Sequence, residues 1–197
     1  DSYEIFSSEP IETFADLNGK KIGGSGRNLL WLENTGAVAV QSNMTDGYTS
    51  LQTGLISGQF AAPHWAVKAN YQDICKYATD IGLDSTMGEL LTVNLDTWNS
   101  LPAEVQDIIL EVSEELEDYH LEYTNECRAK AYEAFEAAGG TIVTMSEEEK
   151  AAWLAALPDI PDTAPELGST GLKILERYVE LLKENGVEIP RDWEFNY

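Results

Sequence analysis

The chain has 197 residues, with 12 Lys plus Arg against 35 Asp plus Glu, so its formal net charge is −23. A field of this sign repels phosphate backbones and anionic lipids, which argues against nucleic acid as a partner. No apolar stretch approaches the roughly 20 residues that cross a bilayer, so we expect no stable membrane insertion.

The first part of the chain alternates short strands with helices. Strands are predicted at residues 1–8, 20–22, 37–40 and 60–62, and helices at about 29–35 and from Asp46 to about Leu55. The Gly-Gly-Ser-Gly run at residues 23–26 is predicted to be an irregular loop, because it is too rich in glycine for regular structure. This order predicts right-handed crossovers over a parallel sheet.

The second part is predicted to be mainly helical. Residues 90–95 alternate as a strand does, and apolar residues then recur every three or four positions from about Pro102 to the Gly139-Gly140 pair. At 1.5 Å per residue this helix would span about 50 Å, so it bridges two bodies or kinks between them. A strand at 141–144, a helix that begins at a Ser146–Glu149 capping box and a last helix at 170–185 follow.

A series of short motifs runs in a fixed order through the first 110 residues. They are DLNGKKI at 16–22, Gly36-Ala37, DGYTSLQTG at 46–54, Lys76-Tyr77, Val93-Asn94 and WNSLP at 98–102. In this order and spacing the motifs resemble the solute-binding proteins of TRAP transporters, the DctP-like family. The series is far more specific than any one of its motifs.

The resemblance implies an α/β fold of the two-lobed periplasmic-binding-protein type (type II). The chain would hold mainly the second lobe, a mixed β-sheet flanked by helices, together with a long inter-lobe helix. Residues 1–88 would begin this lobe, 89–126 would cross into the first lobe, and 127–197 would return. The N-terminal lobe is expected to be missing from this chain.

The implied function is capture of a small organic acid, a carboxylate, and its delivery to TRAP membrane subunits. The implied location is the periplasm of a Gram-negative bacterium, with the signal peptide absent from this chain and with no cofactor, metal or catalytic residue. One alternative is an α/β enzyme domain acting on a small anionic metabolite, although His64 and His120 lie far apart without a catalytic frame. The other is an acidic partner-binding domain with no small ligand.

The glycine-rich turn supplies the first candidate ligand-binding residues. They are Gly23, Gly24, Ser25, Arg27 and Asn28. A turn that opens a helix offers free amide hydrogens and the positive end of the helix dipole, which suit a carboxylate. Arg27 either adds a bidentate pair of hydrogen bonds to the carboxylate of the ligand or is an ordinary surface arginine.

The resemblance also marks departures from the family pattern. The family's carboxylate-binding arginine ends the strand of the DLKGKKIR-like motif, and Gly23 stands there in this chain. A second arginine, common in sialic-acid binders, aligns with Tyr3. Three explanations stay open: Arg27 and the loop amides replace the arginine, the missing lobe holds the ligand, or the ligand is less acidic than a C4-dicarboxylate.

The remaining candidates follow predicted strands. Met44 takes the place of a family aromatic residue, and Ala61, Pro63, His64 and Trp65 lie at the end of the third strand of the motif region. Carboxyl ends of parallel strands are where open α/β sheets bind ligands. Trp65 either stacks on a planar or cyclic ligand or packs in the core, and His64 either donates a hydrogen bond to the ligand or has no such role.

The two cysteines carry little information about function. Cys75 and Cys127 lack the close spacing of a zinc or redox motif. They form one bridge or remain two partly buried thiols.

Overall fold

The computed structural model of the chain describes residues 3–82, 91–159, 168–187 and 189. The strands are β1 Glu4–Ser7, β2 Lys21–Gly24, β3 Val38–Gln41, β4 Gly58–Ala61, β5 Tyr77–Asp80 and β6 Thr141–Thr144. The α-helices are α1 Met44–Gln52, α2 Pro63–Lys68, α3 Leu95–Ser100, α4 Ala103–Ala137, α5 Glu147–Ala156 and α6 Gly168–Glu184. Short 3-10 helices span Phe14–Leu17, Gly26–Leu32 and Tyr71–Asp73. The predicted boundary at 88/89 lies outside the described residues.

The strands form one mixed sheet in the order β3-β2-β4-β1-β5-β6. β2 is parallel to β3 and β4, and β5 is parallel to β6, whereas β1 is antiparallel to both of its neighbours. Five strands therefore run one way, and the start of β1 lies at their carboxyl edge. The parallel pairing predicted for β2, β3 and β4 is confirmed.

The prediction of an irregular loop is wrong for Gly23 and Gly24, which are the last residues of β2. They are held in the sheet because β2 is hydrogen-bonded between β3 and β4, with Gly23 in register with Gln59. A Cβ at Gly23 would lie 2.1 Å from Oε1 of Gln59, so glycine fits where a larger residue would collide. Pairing on both sides outweighs the low strand propensity of glycine.

Apolar side chains cover the sheet on both faces. On one face Ile5, Ile22 and Phe60 pack with Trp153 of α5, whose indole N–H donates to the carbonyl of Trp31 at 2.7 Å. On the other face Phe6, Ile56, Tyr71 and Cys75 pack with Phe135 of α4. This double cover is typical of sheets with parallel strands.

The predicted strand at residues 90–95 is wrong where the structure describes it. Residues 91–94 have no regular structure, and Leu95 begins α3. The side chain of Asn94 caps that helix by accepting from the amide of Thr97 at 3.1 Å. Leu91 and Val93 are exposed, and none of the described strands pairs with them, so the local helix signal decides the conformation.

The long helix is confirmed, since α4 contains 35 residues. Its apolar stripe is buried in this lobe at Ala131 and Phe135. Toward the N-terminus the same stripe is exposed, and we call this part the free stripe: Val105, Ile108, Val112, Leu116, Tyr119 and Tyr123. None of the described helices is long and apolar enough to cross a membrane.

The predicted capping box of α5 is corrected in part by a contact distant in sequence. Ser146 caps α5 as predicted, but the carboxylate of Glu149 accepts from the amide of Phe14 at 2.6 Å instead of closing the capping box.

Cys75 and Cys127 are both free thiols, so the bridge does not form. Burial raises the pKa of the Cys75 thiol to about 12.

Candidate functional site

A cleft of about 270 Å³ lies at the carboxyl edge of the sheet. Two of the residues that line it lie within β4, four follow β2, β3 or β4 in the chain, and one precedes the antiparallel β1. They are Tyr3, Ser25, Met44, Gln59, Phe60, Ala62 and Trp65. The position agrees with the general rule that open α/β sheets bind ligands beyond the carboxyl ends of their strands.

Gln59 of β4 is the buried polar residue of this lining, with 1% of its surface exposed. Its amide nitrogen faces the carbonyl oxygens of Ser42 and Phe60, each at 3.4 Å. Because both neighbours are acceptors, the amide nitrogen must point toward them and the oxygen away. Oε1 of Gln59 is buried and has no hydrogen-bond partner among the described residues.

Met44 is the first residue of α1, and its backbone is held in place by a hydrogen bond from Tyr71. The Tyr71 hydroxyl donates to the carbonyl of Met44 at 3.2 Å. Gly47 allows this contact, since a Cβ there would lie 2.1 Å from the Tyr71 hydroxyl oxygen. Burial raises the pKa of Tyr71 to about 12, so its hydroxyl remains a donor at neutral pH.

Trp65 lies on α2, a helix that begins at Pro63 directly after β4. Its side chain is 48% exposed, so the alternative in which Trp65 packs in the core is wrong. The Lys68 ammonium lies 4.6 Å from the centre of its ring, a cation–π contact one turn along the helix. The His64 ring centre is 5.3 Å from that of Trp65.

The structure brings Ser25, Met44 and Trp65 of the predicted site residues into one cleft. The other predicted residues lie around this cleft without lining it. Gly23, Gly24 and Ala61 are buried in β2 and β4, Pro63 is buried at the start of α2, His64 is half-buried, Arg27 is exposed, and Asn28 is half-buried in the 3-10 helix.

Four lining residues were not among the predicted site residues: Tyr3, Gln59, Phe60 and Ala62. Tyr3 could have been proposed as a site residue because it aligns with a family arginine in the resemblance. Its place at this edge, however, follows from the antiparallel direction of β1. Gln59 lies five residues after the family-like motif at 46–54. Its side chain fits there because the residue opposite it in β2 is Gly23, where a Cβ would collide with Oε1.

A charged network at the same edge was not predicted either. The Arg128 guanidinium of α4 lies 3.2 Å from the carboxylate of Glu4 and 3.1 Å from that of Asp80. The Tyr132 hydroxyl accepts from Arg128 at 3.0 Å and donates to Glu4. These four residues join β1, β5 and α4.

Glu4 is fully buried in this network. Loss of solvent on burial raises its pKa from 4.5 to about 7, and the nearby Asp80 carboxylate adds to the rise, while the bonds from Tyr132 and Arg128 oppose it. Its second oxygen, Oε2, has no hydrogen-bond partner among the described residues. A buried carboxylate that is satisfied on one oxygen alone favours the neutral form.

A sheet of this order with a cleft at its carboxyl edge is an α/β ligand-binding lobe. Residues 2–164 match the family described as bacterial extracellular solute-binding protein, family 7, or DctP. The chain belongs to this family.

Known relatives agree in sequence and in fold. The chain is 30% identical over 168 residues to the C4-dicarboxylate-binding periplasmic protein DctP of Rhodobacter capsulatus, a match that covers 83% of this chain and 50% of the relative. It therefore spans about half the length of this curated relative.

Two solved structures share the fold. TeaA, the ectoine-binding protein of the TeaABC TRAP transporter, superposes with a TM-score of 0.83 at 20% identity, over 95% of this chain and 61% of TeaA. A TRAP periplasmic solute-binding protein from Desulfovibrio salexigens with bound orotic acid gives a TM-score of 0.79 at 22% identity, over 91% of this chain and 58% of that one.

Proposed function

We propose that the chain is part of an extracytoplasmic solute-binding subunit of a TRAP transporter. It captures a small organic acid in the periplasm and delivers it to the membrane subunits of the transporter, without making or breaking a covalent bond. The observation that carries the proposal is the cleft at the carboxyl edge of the sheet, in a chain that belongs to the DctP family.

The relatives support the organic acid as the ligand class. The R. capsulatus protein is described as binding C4-dicarboxylates, and the D. salexigens structure holds orotic acid. The cleft of this chain, about 270 Å³, is of the size that suits a small metabolite.

We also propose that the described lobe works against a second lobe. The apolar stripe of α4 is buried against this lobe at Ala131 and Phe135, whereas the side chains of the free stripe are exposed. In the proposed arrangement residues 1–88 and 127–197 build this lobe, and residues 89–126 cross into the other lobe. The free stripe is then the part of α4 that the other lobe covers.

Transport would follow from a hinge equilibrium. The ligand contacts both lobes in the closed form and one lobe in the open form, so its binding shifts the population toward closure. The membrane subunits would recognise the closed form. A chain that holds one lobe would bind the same ligand more weakly, because the contacts to the other lobe are lost.

A thermal-shift screen of this chain against small carboxylic acids, each paired with its uncharged amide, tests the proposal. Bound ligand raises the melting temperature in proportion to ln(1 + [L]/Kd), so millimolar acid concentrations compensate for weak binding. We expect one class of acid to raise it more than the paired amides do. Trp65→Ala removes a cleft residue and should reduce the shift, whereas Val38→Ala, at an exposed site on β3 away from the cleft, should preserve it.

Three results would contradict the proposal. They are the absence of a shift with every acid, equal shifts for acids and amides, and equal loss of the shift in both variants.

A further inference from the structure

The residues that line the cleft carry no charge. Three of the seven are aromatic, and the two polar ones, Ser25 and Gln59, are neutral. A carboxylate that entered between them would lose its water and gain no ion pair from these side chains, which is unfavourable. None of these seven side chains therefore holds the carboxylate of the ligand by an ion pair.

Trp65 offers a surface for a flat group instead. Its indole is 48% exposed at the end of β4, and its orientation is supported by Lys68 and His64. Exposed indole rings bind planar rings by offset stacking, which adds to the gain from burying apolar area. A saturated or open-chain acid gains less at such a surface.

Gln59 adds a requirement for a hydrogen-bond donor. Its Nε2 is used by two carbonyl groups, and its Oε1 is a buried acceptor without a partner among the described residues. A buried acceptor that stays unpaired is costly, so a ligand that brings an N–H or O–H to this oxygen gains more than it would from an exposed acceptor.

We propose that the ligand is an organic acid with a planar ring that carries a ring N–H or hydroxyl donor. The ring stacks on Trp65, the donor bonds to Oε1 of Gln59, and the carboxylate makes no ion pair with the seven lining side chains. This inference rests on the proposed function and names the ligand class of the same site. A ligand of this class distinguishes this cleft from a cleft that binds a C4-dicarboxylate through ion pairs.

Four small acids test each part of the inference. Pyrrole-2-carboxylate has the planar ring, the ring N–H and the carboxylate, and furan-2-carboxylate lacks the N–H alone. Cyclopentanecarboxylate has a ring of similar size that is not planar, and succinate has no ring. Ligand-observed NMR titration of this chain measures millimolar affinities directly.

We expect pyrrole-2-carboxylate to bind about tenfold more tightly than furan-2-carboxylate, the effect of one hydrogen bond to a buried acceptor. Furan-2-carboxylate should in turn bind more tightly than cyclopentanecarboxylate and succinate. Gln59→Met should abolish the preference for pyrrole over furan and leave the preference for planar rings. Trp65→Ala should abolish the preference for planar rings, and Trp65→Phe should retain it.

The outcomes separate this inference from the proposed function. Tighter binding of succinate than of the ring acids overturns the inference and leaves an acid-binding protein. An unchanged pyrrole preference in Gln59→Met, with the native circular dichroism spectrum, also overturns it. If no acid binds in a saturable way, both the inference and the proposed function fail.

Discussion

Arg128 on α4 and Glu4 on β1 lie 3.2 Å apart between guanidinium nitrogen and carboxylate oxygen, 124 residues apart in the chain. The contact lies where α4 leaves the body of the lobe: Ala131 and Phe135 beyond it are buried, whereas the free stripe before it is exposed. Arg128 therefore connects the start of β1 to the point at which the long helix becomes free.

The titration of Glu4 should make stability depend on pH near neutrality. Its pKa is about 7 in the folded chain against 4.5 as its ordinary value, so folding takes up a proton between these values. The stabilising contribution is complete below pH 4.5 and is lost as pH rises through 7. We expect the free energy of unfolding to fall between pH 5 and 8, by on the order of 3 kcal/mol at most. Urea denaturation at several pH values measures this slope.

Two variants assign the slope to its group. Glu4→Gln should flatten the dependence between pH 5 and 8, since the amide does not titrate. Glu9→Gln is the control. The hydrogen bond from Lys20 lowers the pKa of Glu9, so the titration of Glu9 changes stability below this pH range. A steep slope that persists in Glu4→Gln would contradict the assignment.

The close approach of Gly23 and Gln59 predicts coupling between the two positions. A methyl group at Gly23 would lie 2.1 Å from Gln59 Oε1 and 2.8 Å from Ile56 Cδ1. We expect Gly23→Ala to destabilise the chain by about 1–3 kcal/mol through overpacking. In a Gln59→Ala background the loss should be smaller by about 1 kcal/mol, because the closest atom is gone. Chemical denaturation of the four proteins of this cycle measures the coupling.

Gly24→Ala serves as the comparison, since the nearest atom to its added methyl group would be Leu29 Cδ2 at 3.1 Å. It should cost less than Gly23→Ala. Strictly additive losses for Gly23→Ala and Gln59→Ala would show that the two residues do not compete for the same space.

Two tryptophans should differ sharply in their contribution to stability. Trp153 is fully buried and donates to the carbonyl of Trp31, so Trp153→Ala should cost about 3–5 kcal/mol through a cavity and an unpaired carbonyl. Trp65 is 48% exposed, and Trp65→Ala should cost about 1 kcal/mol or less. The unfolding midpoints in urea check both values, and similar losses would mean that Trp65 has a packing role.

The free stripe should cause this chain to associate with itself at high concentration, because it exposes a continuous apolar surface. Sedimentation velocity over a range of protein concentrations detects this association. Leu116→Ser, on the stripe, should shift the chain toward the monomer. Leu110→Ser makes the same change at a similarly exposed position on the opposite side of α4 and should have little effect. A chain that stays monomeric at every concentration would contradict the expectation.

Features that depend on neighbours along the chain were predictable from the sequence. The three- or four-residue spacing predicted α4, the hydroxyl of Ser146 predicted the start of α5, and the motif order indicated the family. These signals are local, because a helix is hydrogen-bonded within four residues and a cap within three.

The tertiary structure alone decided which residues face the cleft. Tyr3 reaches it because β1 runs against its neighbours, and Gln59 reaches it because β4 is paired with the glycines of β2. Likewise, residues 91–94 are irregular and pair with none of the strands that the structure describes, although their alternation favours a strand. Strand pairing and burial join residues distant in sequence, and a pattern of nearby residues does not contain that information.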